Sequence, residues 1–240
     1  MAFYRGSEDY RRYSAESQET LQRLRQVLRQ DGPSFGRSLL DLCCGGGALA
    51  PLYERDGRRY VGIDTNSDMI REARGSARAR GSSASFLLAD ARRVRLAGRF
   101  DTVVMLGNAL SHLTTRDFLQ VLWRLSGHLE PAARFIVDYR DTVQLFFERK
   151  WGKRYVQHKG GHRVVSTTRG VDLLRGEVLI VSRRDGVRGP IPHSQTIWSP
   201  FVLEPLMVSQ GWRLVRRMPE RRWHGWRDVY RLESVPGCQD

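Results

Sequence analysis

The sequence predicts an α/β fold in which a mostly parallel β-sheet is covered by helices on both faces. Between residues 38 and 139, short apolar runs alternate with stretches of helical periodicity. Continuous apolar strands that alternate with helices are typical of right-handed βαβ units, whose strands are buried on both sides. The apolar runs are SLLDLCC, YVGID, ASFLLAD, DTVVML and ARFIVDY, and helices are expected from Ala48, from Ser67 and over residues 115–129.

A different pattern precedes this alternation. Residues 14–29 place Leu21, Leu24, Val27 and Leu28 at helical spacing among polar residues, and the sequence DGP follows. Apolar residues three and four apart form one stripe on a helix, and Gly and Pro end it. We therefore expect an amphipathic helix that lies against the edge of the sheet.

The pattern changes again after Tyr139. The runs GHRVVSTTRGVD, RGEVLIVSRRDG and HSQTIWS, between about Lys153 and Ser199, alternate in hydropathy and are separated by Gly-containing turns. These features predict antiparallel strands. A helix is expected over residues 202–209. It is followed by two final strands, WRLVRRM and DVYRLES, which are expected to form a hairpin on the sheet edge. The expected units are an N-terminal helical segment or lid (1–36), an α/β core (37–140), a β-rich insertion (141–200), and a last helix and strands (201–240) that complete the core.

The composition says more about the cellular environment of the protein than about its function. The 240 residues carry a formal net charge of +14, which makes RNA a possible partner. However, the cationic residues are almost all arginines scattered along the chain, and this pattern is weak evidence for a nucleic-acid site. No apolar stretch approaches the roughly 20 residues that a membrane span needs, and the N-terminus is polar. We expect a cytoplasmic protein with no membrane association.

The cysteine spacing fits neither a disulfide framework nor a zinc site. Two of the three cysteines are adjacent, Cys43 and Cys44, and the third is the distant Cys238. A reducing compartment and no metal are therefore expected.

The first predicted strand runs into a glycine-rich turn. Asp41 is followed by Gly45, Gly46 and Gly47, and a helix comes next, an arrangement that exposes backbone N–H groups to a ligand. The second strand ends in Asp64, nineteen residues after Gly45, which is close to the spacing of a carboxylate that binds ribose hydroxyls. A nucleoside ligand fits this pattern. NAD fits as well, because the glycines and Ala50 satisfy the permissive dinucleotide pattern.

Two carboxylates favour a different ligand over NAD. Asp41 is poorly placed beside a pyrophosphate but suits an ammonium group, and Asp90, at the end of the third strand, could accept from an adenine amino group. Either aspartate of the first two strands could instead cap the helix that follows. A ligand with an amine, a ribose and an adenine is S-adenosylmethionine.

Residues 38–139 resemble the class I S-adenosylmethionine-dependent methyltransferases. LLDLCCGGG, GIDTNSDMI, LLAD and FDTVVMLGNALSHL are similar to that family's motifs, in the same order, with Cys43 in place of a usual glycine. The resemblance implies a Rossmann-like sheet with an antiparallel last strand, S-adenosyl-L-methionine as cofactor and S-adenosyl-L-homocysteine as product. The cofactor-binding residues that it implies are Asp41, Cys43, Gly45, Gly47, Asp64, Thr65, Met69, Asp90, Ala91, Leu106 and, on an N-terminal lid, Tyr13.

Within that family, GNALSHL and the β-rich insertion most resemble the glycine and sugar-amine N-methyltransferases. This resemblance implies that Asn108 and His112 face the methyl donor and acceptor. His112 follows the fourth strand at the ligand-binding end of an open α/β sheet, so it could act as a base or orient the acceptor. A small-molecule acceptor, methylated at nitrogen, is the favoured hypothesis.

Two other functions remain open on the sequence. An RNA or protein methyltransferase would use the positive surface, and the segment 221–227, RRWHGWR, could stack bases, although a hairpin between the last two strands explains it as well. A catalytically silent nucleotide-binding protein would keep the cofactor residues without turnover.

Overall fold

The structure is a computed structural model that describes residues 18–54, 57–148, 154–159, 162–186, 188–220 and 224–234. Its main sheet has seven strands in the order β10-β11-β5-β4-β1-β2-β3. The five strands from β1 to β5 are parallel, and β11 is antiparallel to both of its neighbours. The predicted fold class is therefore confirmed. The seven strands are β1 (Ser38–Leu42), β2 (Arg59–Asp64), β3 (Ser85–Leu88), β4 (Phe100–Met105), β5 (Leu129–Arg140), β10 (Trp212–Glu220) and β11 (Gly225–Leu232).

Helices cover both faces of this sheet because each carries one apolar stripe. The helices are α1 (Gln18–Gln30), α2 (Ala50–Tyr53), α3 (Ser67–Ala79), α4 (Thr115–Leu125), α5 (Thr142–Phe147) and α6 (Pro200–Ser209). On one face, Phe118 and Val121 of α4 pack with Leu203 of α6 against the strands. On the other, Val27 of α1 packs in one cluster with Ile70 of α3.

Three helix boundaries differ from the sequence expectation. The helix expected from Ala48 begins at Ala50, and α6 begins at Pro200 because a proline fits the first turn of a helix. The helix expected to reach residue 129 ends at Leu125, where a 3-10 turn leads directly into β5. The sequence also gave no sign of α5, whose first turn is capped by Asp141 through a bond from the Gln144 N–H.

A second sheet forms the predicted β-rich insertion. It contains β6 (Tyr155–Lys159), β7 (His162–Asp172), β8 (Glu177–Arg184) and β9 (Ile191–Thr196), all antiparallel and in chain order. Trp198, only 1% exposed, anchors the end of this sheet to the core. Its indole Nε1 donates to the Leu113 carbonyl at 3.3 Å, and its ring meets Phe118 edge-on at 5.5 Å. The insertion is thereby fixed beside the loop that follows β4.

Charged groups dock α1, in addition to its apolar stripe. Asp31, at the end of the helix, is fully buried and accepts from Arg227 Nε at 2.7 Å and from Arg216. Arg23, in the middle of α1, pairs with the buried Asp138 of β5. Buried charges of this kind are tolerated only when they are paired, so α1 has a fixed position on the sheet.

The predicted final hairpin is also present. β10 pairs along its length with β11, so the last two strands form the antiparallel pair that the hairpin interpretation requires. Arg221, Arg222 and Trp223 fall outside the described residues, whereas Trp226 lies in β11 and donates its indole N–H to Asp141 at 2.9 Å. No helix among the described parts of the chain is long and apolar enough to cross a membrane.

Candidate active site

The glycine-rich turn after β1 has the left-handed backbone that its sequence suggests. Gly45 and Gly47 have φ angles of 54° and 73°. A Cβ at Gly47 would lie 2.5 Å from the Phe86 ring, so only glycine fits there. Cys43 adopts φ 59°, which explains why a glycine is usual at this position and shows that the cysteine accepts backbone strain.

Asp64 connects the end of β2 to this turn. Its Oδ2 accepts from the Gly45 N–H at 2.9 Å, and its Oδ1 accepts from the Asn66 N–H at 2.9 Å. The side chain that caps α3 is Asn66 and not Asp64. Each carboxylate oxygen can accept a further bond. Asp64 is therefore a fixed, partly exposed acceptor beside the glycine turn, as a ribose-binding residue would be.

Asp41 lies beneath the same turn, and only 6% of its surface is exposed. The Tyr60 hydroxyl donates to its Oδ2 at 2.5 Å. Burial raises the pKa of Asp41 to about 7, the Tyr60 hydrogen bond opposes this rise, and the charge of Asp64 adds to it. A nearby cation would relieve the cost of this buried negative charge. The site thus suits a ligand with an ammonium group at this end.

The two cysteines of the turn are not activated. Burial, together with the charges of Asp64 and Asp41, raises the pKa of Cys43 to about 12, and burial also raises the pKa of Cys44. A thiol is nucleophilic only as the thiolate. Cys43 and Cys44 therefore shape the turn and take no part in nucleophilic chemistry.

The predicted adenine end of the site contains an arginine that the sequence analysis missed. Both Asp90 oxygens accept from Arg92 Nε at 3.0 Å, and the hydrogen bond from Arg92 lowers the pKa of Asp90. Arg92 also donates to Asp117, near the start of α4, at 3.0 Å. An adenine amino group would share Asp90 with this guanidinium.

The remaining predicted cofactor residues differ in exposure. Met69 is 2% exposed and Ala91 is 7% exposed, so both mainly pack in the interior. Thr65 is exposed and Leu106 is partly buried, so a ligand can reach them. Their contacts with a cofactor remain predictions. Tyr13 lies outside the described residues.

Asn108 forms the corner of the loop after β4 with a left-handed backbone, φ 62° and ψ 28°. Its side-chain oxygen accepts from the Arg140 N–H at 2.9 Å, and its Nδ2 donates to Ser111 Oγ at 3.2 Å. Its backbone N–H donates to Asp138 Oδ1 at 2.7 Å. These contacts make Asn108 a clamp that shapes the loop, and they give no direct support to the predicted contact with substrate.

His112 ends the 3-10 turn Ala109–His112 that follows this corner. The residue is exposed, yet the protein atoms around it lower its pKa by desolvation. The charge of His193 lowers the pKa of His112 further, and the charge of Asp64 raises it. His112 lies on a turn that β9 of the insertion contacts.

His193 is a second site residue that sequence reasoning left unassigned. It lies on β9, which contacts the 3-10 turn, and burial lowers its pKa. Alternation along β9 leaves Ile191, His193 and Gln195 on one, partly buried face. The alternation of residues along the predicted strand could have indicated that these three side chains share one face. The sequence could not have shown which loop that face approaches.

A comparison with protein families identifies the core of this arrangement. Residues 39–132 match the model described as "Methyltransferase domain". This part of the chain is similar to methyltransferase domains. It contains the glycine turn, Asp41, Asp64, Asp90 and the loop with Asn108 and His112.

Among curated proteins, the ubiquinone biosynthesis O-methyltransferase of Sodalis glossinidius is 38% identical over 52 residues. The match covers 22% of this chain and 21% of that enzyme, so only about a fifth of its length is shared. This relative supports the methyltransferase domain and leaves the acceptor open.

Solved structures share the whole fold at lower identity. A S-adenosylmethionine-dependent methyltransferase from Clostridium acetobutylicum has a TM-score of 0.72 at 15% identity, and the match covers 88% of this chain and 91% of that one. The sugar N-methyltransferase KedS8 from Streptoalloteichus has a TM-score of 0.63 at 20% identity, with 89% and 87% covered. The likeness therefore includes the β-rich insertion as well as the core.

The comparisons agree with the predicted fold, enzyme class and cofactor. The donor set fits S-adenosylmethionine because it contains three carboxylates. Asp41 is buried under the glycine turn, Asp64 is oriented at the end of β2, and Asp90 lies in the loop after β3. Three acids thus lie near the carboxyl ends of β1, β2 and β3, although the chain as a whole has a net charge of +14.

Proposed function

We propose that this protein transfers the methyl group of S-adenosylmethionine to a nitrogen of a small-molecule acceptor. The observation that carries the proposal is the position of His112, an exposed residue that ends the 3-10 turn after β4, which β9 of the insertion contacts. The acceptor would lie between the donor site and the second sheet, with the insertion over residues 141–200 as its roof. The sugar N-methyltransferase KedS8 has a similar overall fold, which favours an amine acceptor.

In this proposal, Asp64 would hold the ribose hydroxyls and Asp41 would hold the ammonium of the cofactor. Asp90 would take the adenine amino group beside Arg92, and Thr65 and Leu106 would contact the nucleoside. When bound, S-adenosylmethionine supplies an activated methyl group whose carbon–sulfur bond breaks as the new carbon–nitrogen bond forms. The protein then needs mainly to hold the acceptor nitrogen in line at about 3 Å.

A proton must leave when an ammonium acceptor is methylated, because only a free lone pair attacks. His112 is suited to accept this proton, since its lowered pKa keeps it neutral at pH 7. His193 is also held neutral by its environment. A proton taken up by His112 can pass to solvent, because this residue is exposed.

The test is transfer of labelled methyl from S-adenosylmethionine into a cell extract that is afterwards separated into small-molecule, RNA and protein pools. The Asp64→Ala variant is the control for transfer that depends on the donor site. Label in the small-molecule pool, lost in the variant, is the expected result. Label in RNA or protein would make the basic surface functional and overturn the small-molecule acceptor, and label in no pool would leave a catalytically silent binding protein.

A further inference from the structure

A buried carboxylate, Asp138, contacts the loop that carries His112. Asp138 follows Val137, which pairs with Met105 at the end of β4, so its side chain lies beside the start of the loop. Its Oδ1 accepts from the backbone N–H of Asn108 at 2.7 Å. This bond fixes the left-handed corner from which the 3-10 turn begins, and the turn ends at His112.

The second oxygen of the same carboxylate holds a different part of the molecule. Asp138 Oδ2 accepts from the Arg23 guanidinium of α1, and Asp138 is fully buried. Arg23 and Asp138 are 115 residues apart in sequence. One aspartate thus joins the N-terminal helix to the loop after β4, with one oxygen for each.

The link between α1 and the loop after β4 depends on the position of α1, because Arg23 of α1 is the cation that pairs with Asp138. Glu220 of β10 is also close to Arg23, with 3.9 Å between Glu220 Oε2 and Arg23 Nε. If Arg23 leaves, Asp138 keeps a negative charge that is fully buried and has lost its counter-ion. A buried charge without its partner is costly, so we expect the carboxylate to move toward solvent, which removes the acceptor of the Asn108 N–H.

We propose that Asp138 is a positioning residue that couples the docking of α1 to the conformation of the His112 turn. The proposal rests on the proposed function for its catalytic consequence, but the coupling itself does not depend on any acceptor. A docked α1 keeps Asp138 Oδ1 on the Asn108 N–H, and this bond fixes the start of the turn that ends at His112. Displacement of Arg23 from Asp138 releases the turn, so the enzyme is active only when the N-terminal helix is docked.

The first readout is hydrogen exchange of the Asn108 amide, measured by NMR on the full chain without acceptor. The Arg23→Met variant should exchange this amide at least about tenfold faster than the wild type, because the acceptor oxygen is no longer fixed. The matched control is Arg216→Ala, which removes an ion pair between α1 and β10 at Asp31 but does not touch Asp138. It should leave the exchange of Asn108 unchanged.

A double variant distinguishes the effect of the unpaired Asp138 charge from the effect of a generally looser contact between α1 and the sheet. Adding Asp138→Asn to Arg23→Met removes the unpaired buried charge while keeping a side-chain oxygen that can accept from Asn108. Protection of the Asn108 amide should therefore recover in the double variant, and Arg23→Lys should keep most of it. Equal exchange in Arg23→Met and Arg216→Ala, or no recovery in the double variant, would overturn the coupling.

The second readout is methyl transfer at saturating S-adenosylmethionine. Arg23→Met should lower kcat by about tenfold or more while the Kd of S-adenosylmethionine changes less than threefold, because a displaced catalytic group costs rate more than donor binding. A kcat equal to that of the wild type would overturn the catalytic part of the proposal. If the wild type itself shows no transfer, the proposed function fails, and the exchange experiment still decides the coupling.

Discussion

The proposed donor side and the proposed acceptor side are built in different ways. On the donor side, Asp41 and Asp64 lie near the ends of the neighbouring parallel strands β1 and β2, Gly45 follows β1, and Asp64 accepts from the Gly45 N–H across that one strand pair. On the acceptor side, the His112 turn is held by Asp138 of β5, by Trp198 beyond the insertion and, through Asp138, by Arg23 of α1. The donor side is therefore a local structure, whereas the acceptor side is an assembly of distant segments.

This difference indicates how the two sides should respond to change. A substitution on the donor side should affect the binding of S-adenosylmethionine and little else. A substitution on the acceptor side should affect turnover, because the donor site does not depend on the insertion for its shape. The following predictions test this division, from the largest expected effect to the smallest.

His112→Ala should reduce methyl transfer by about 10³-fold if the imidazole accepts the proton of the acceptor. The Kd of S-adenosylmethionine, measured by calorimetry, should stay within about threefold, because His112 is not in the predicted donor set. His128→Ala is the matched control, because His128 lies directly before the start of β5. The loop of His112 contacts Asp138, near the other end of β5. An equal loss of donor binding in the His112 variant would remove the division of roles.

The same residue predicts a pH dependence of turnover. The pKa of His112 lies below its ordinary value of 6.5, so the neutral form that accepts a proton is present at pH 7. As the pH falls below 6.5, protonation should reduce kcat/KM, and the His112→Ala variant should lose that dependence. If the decrease in kcat/KM at acidic pH were the same in the variant, that decrease would have to come from the titration of another group.

Asp64→Ala should weaken binding of S-adenosylmethionine by about 10²-fold, because a carboxylate that accepts from two hydroxyls is replaced by a methyl group. Asp68→Ala is a suitable control. Asp68 is a partly exposed carboxylate four residues later that pairs with Arg71 at 2.7 Å. Calorimetry on both variants tests the prediction, and comparable losses would indicate a general electrostatic effect rather than ribose recognition.

Asp41→Asn should stabilise the protein at alkaline pH in the absence of cofactor. The pKa of Asp41 is raised from 3.8 to about 7 in the folded state, so the unfolded chain loses this proton first as the pH rises. Ionised Asp41 therefore reduces stability progressively from about pH 4 to pH 7, and the full cost is present above pH 7.

The gain from Asp41→Asn should increase by roughly 2 kcal/mol between pH 5 and pH 8. Urea unfolding at both pH values measures it. The same variant should bind S-adenosylmethionine more weakly, because the partner of the ammonium is lost. A gain of equal size at both pH values would show that Asp41 is not ionised with a raised pKa.

The smallest expected effect concerns the strained position in the glycine turn. Cys43 has a φ of 59°, so Cys43→Gly should be more stable than Cys43→Ala by about 1 kcal/mol, since both lose the thiol but only alanine keeps the strain. Thermal unfolding of the two variants gives the difference. Equal stability would mean that the turn relaxes around a side chain.

The structure also shows where sequence reasoning missed functional residues. Arg92 lies two residues after Asp90, and the spacing alone could have suggested their ion pair. Tyr60, Asp138 and His193 had no such signal, because their importance comes from the groups they meet across the fold. The bond from the Arg140 N–H to the Asn108 amide oxygen, 32 residues apart, had no signal in the sequence for the same reason, and the role of Asn108 toward substrate stays a prediction.

The sequence by itself determined the α/β fold and the separate antiparallel sheet, and it predicted which residues lie near the ends of the parallel strands. Short-range order explains this success, because a parallel strand, a turn and a helix place their terminal residues at one edge of the sheet. Only the tertiary structure decided the acceptor side. There, a histidine turn, a tryptophan anchor and a buried aspartate are brought together over separations of 85 and 115 residues, and no local pattern encodes which of those distant groups meet.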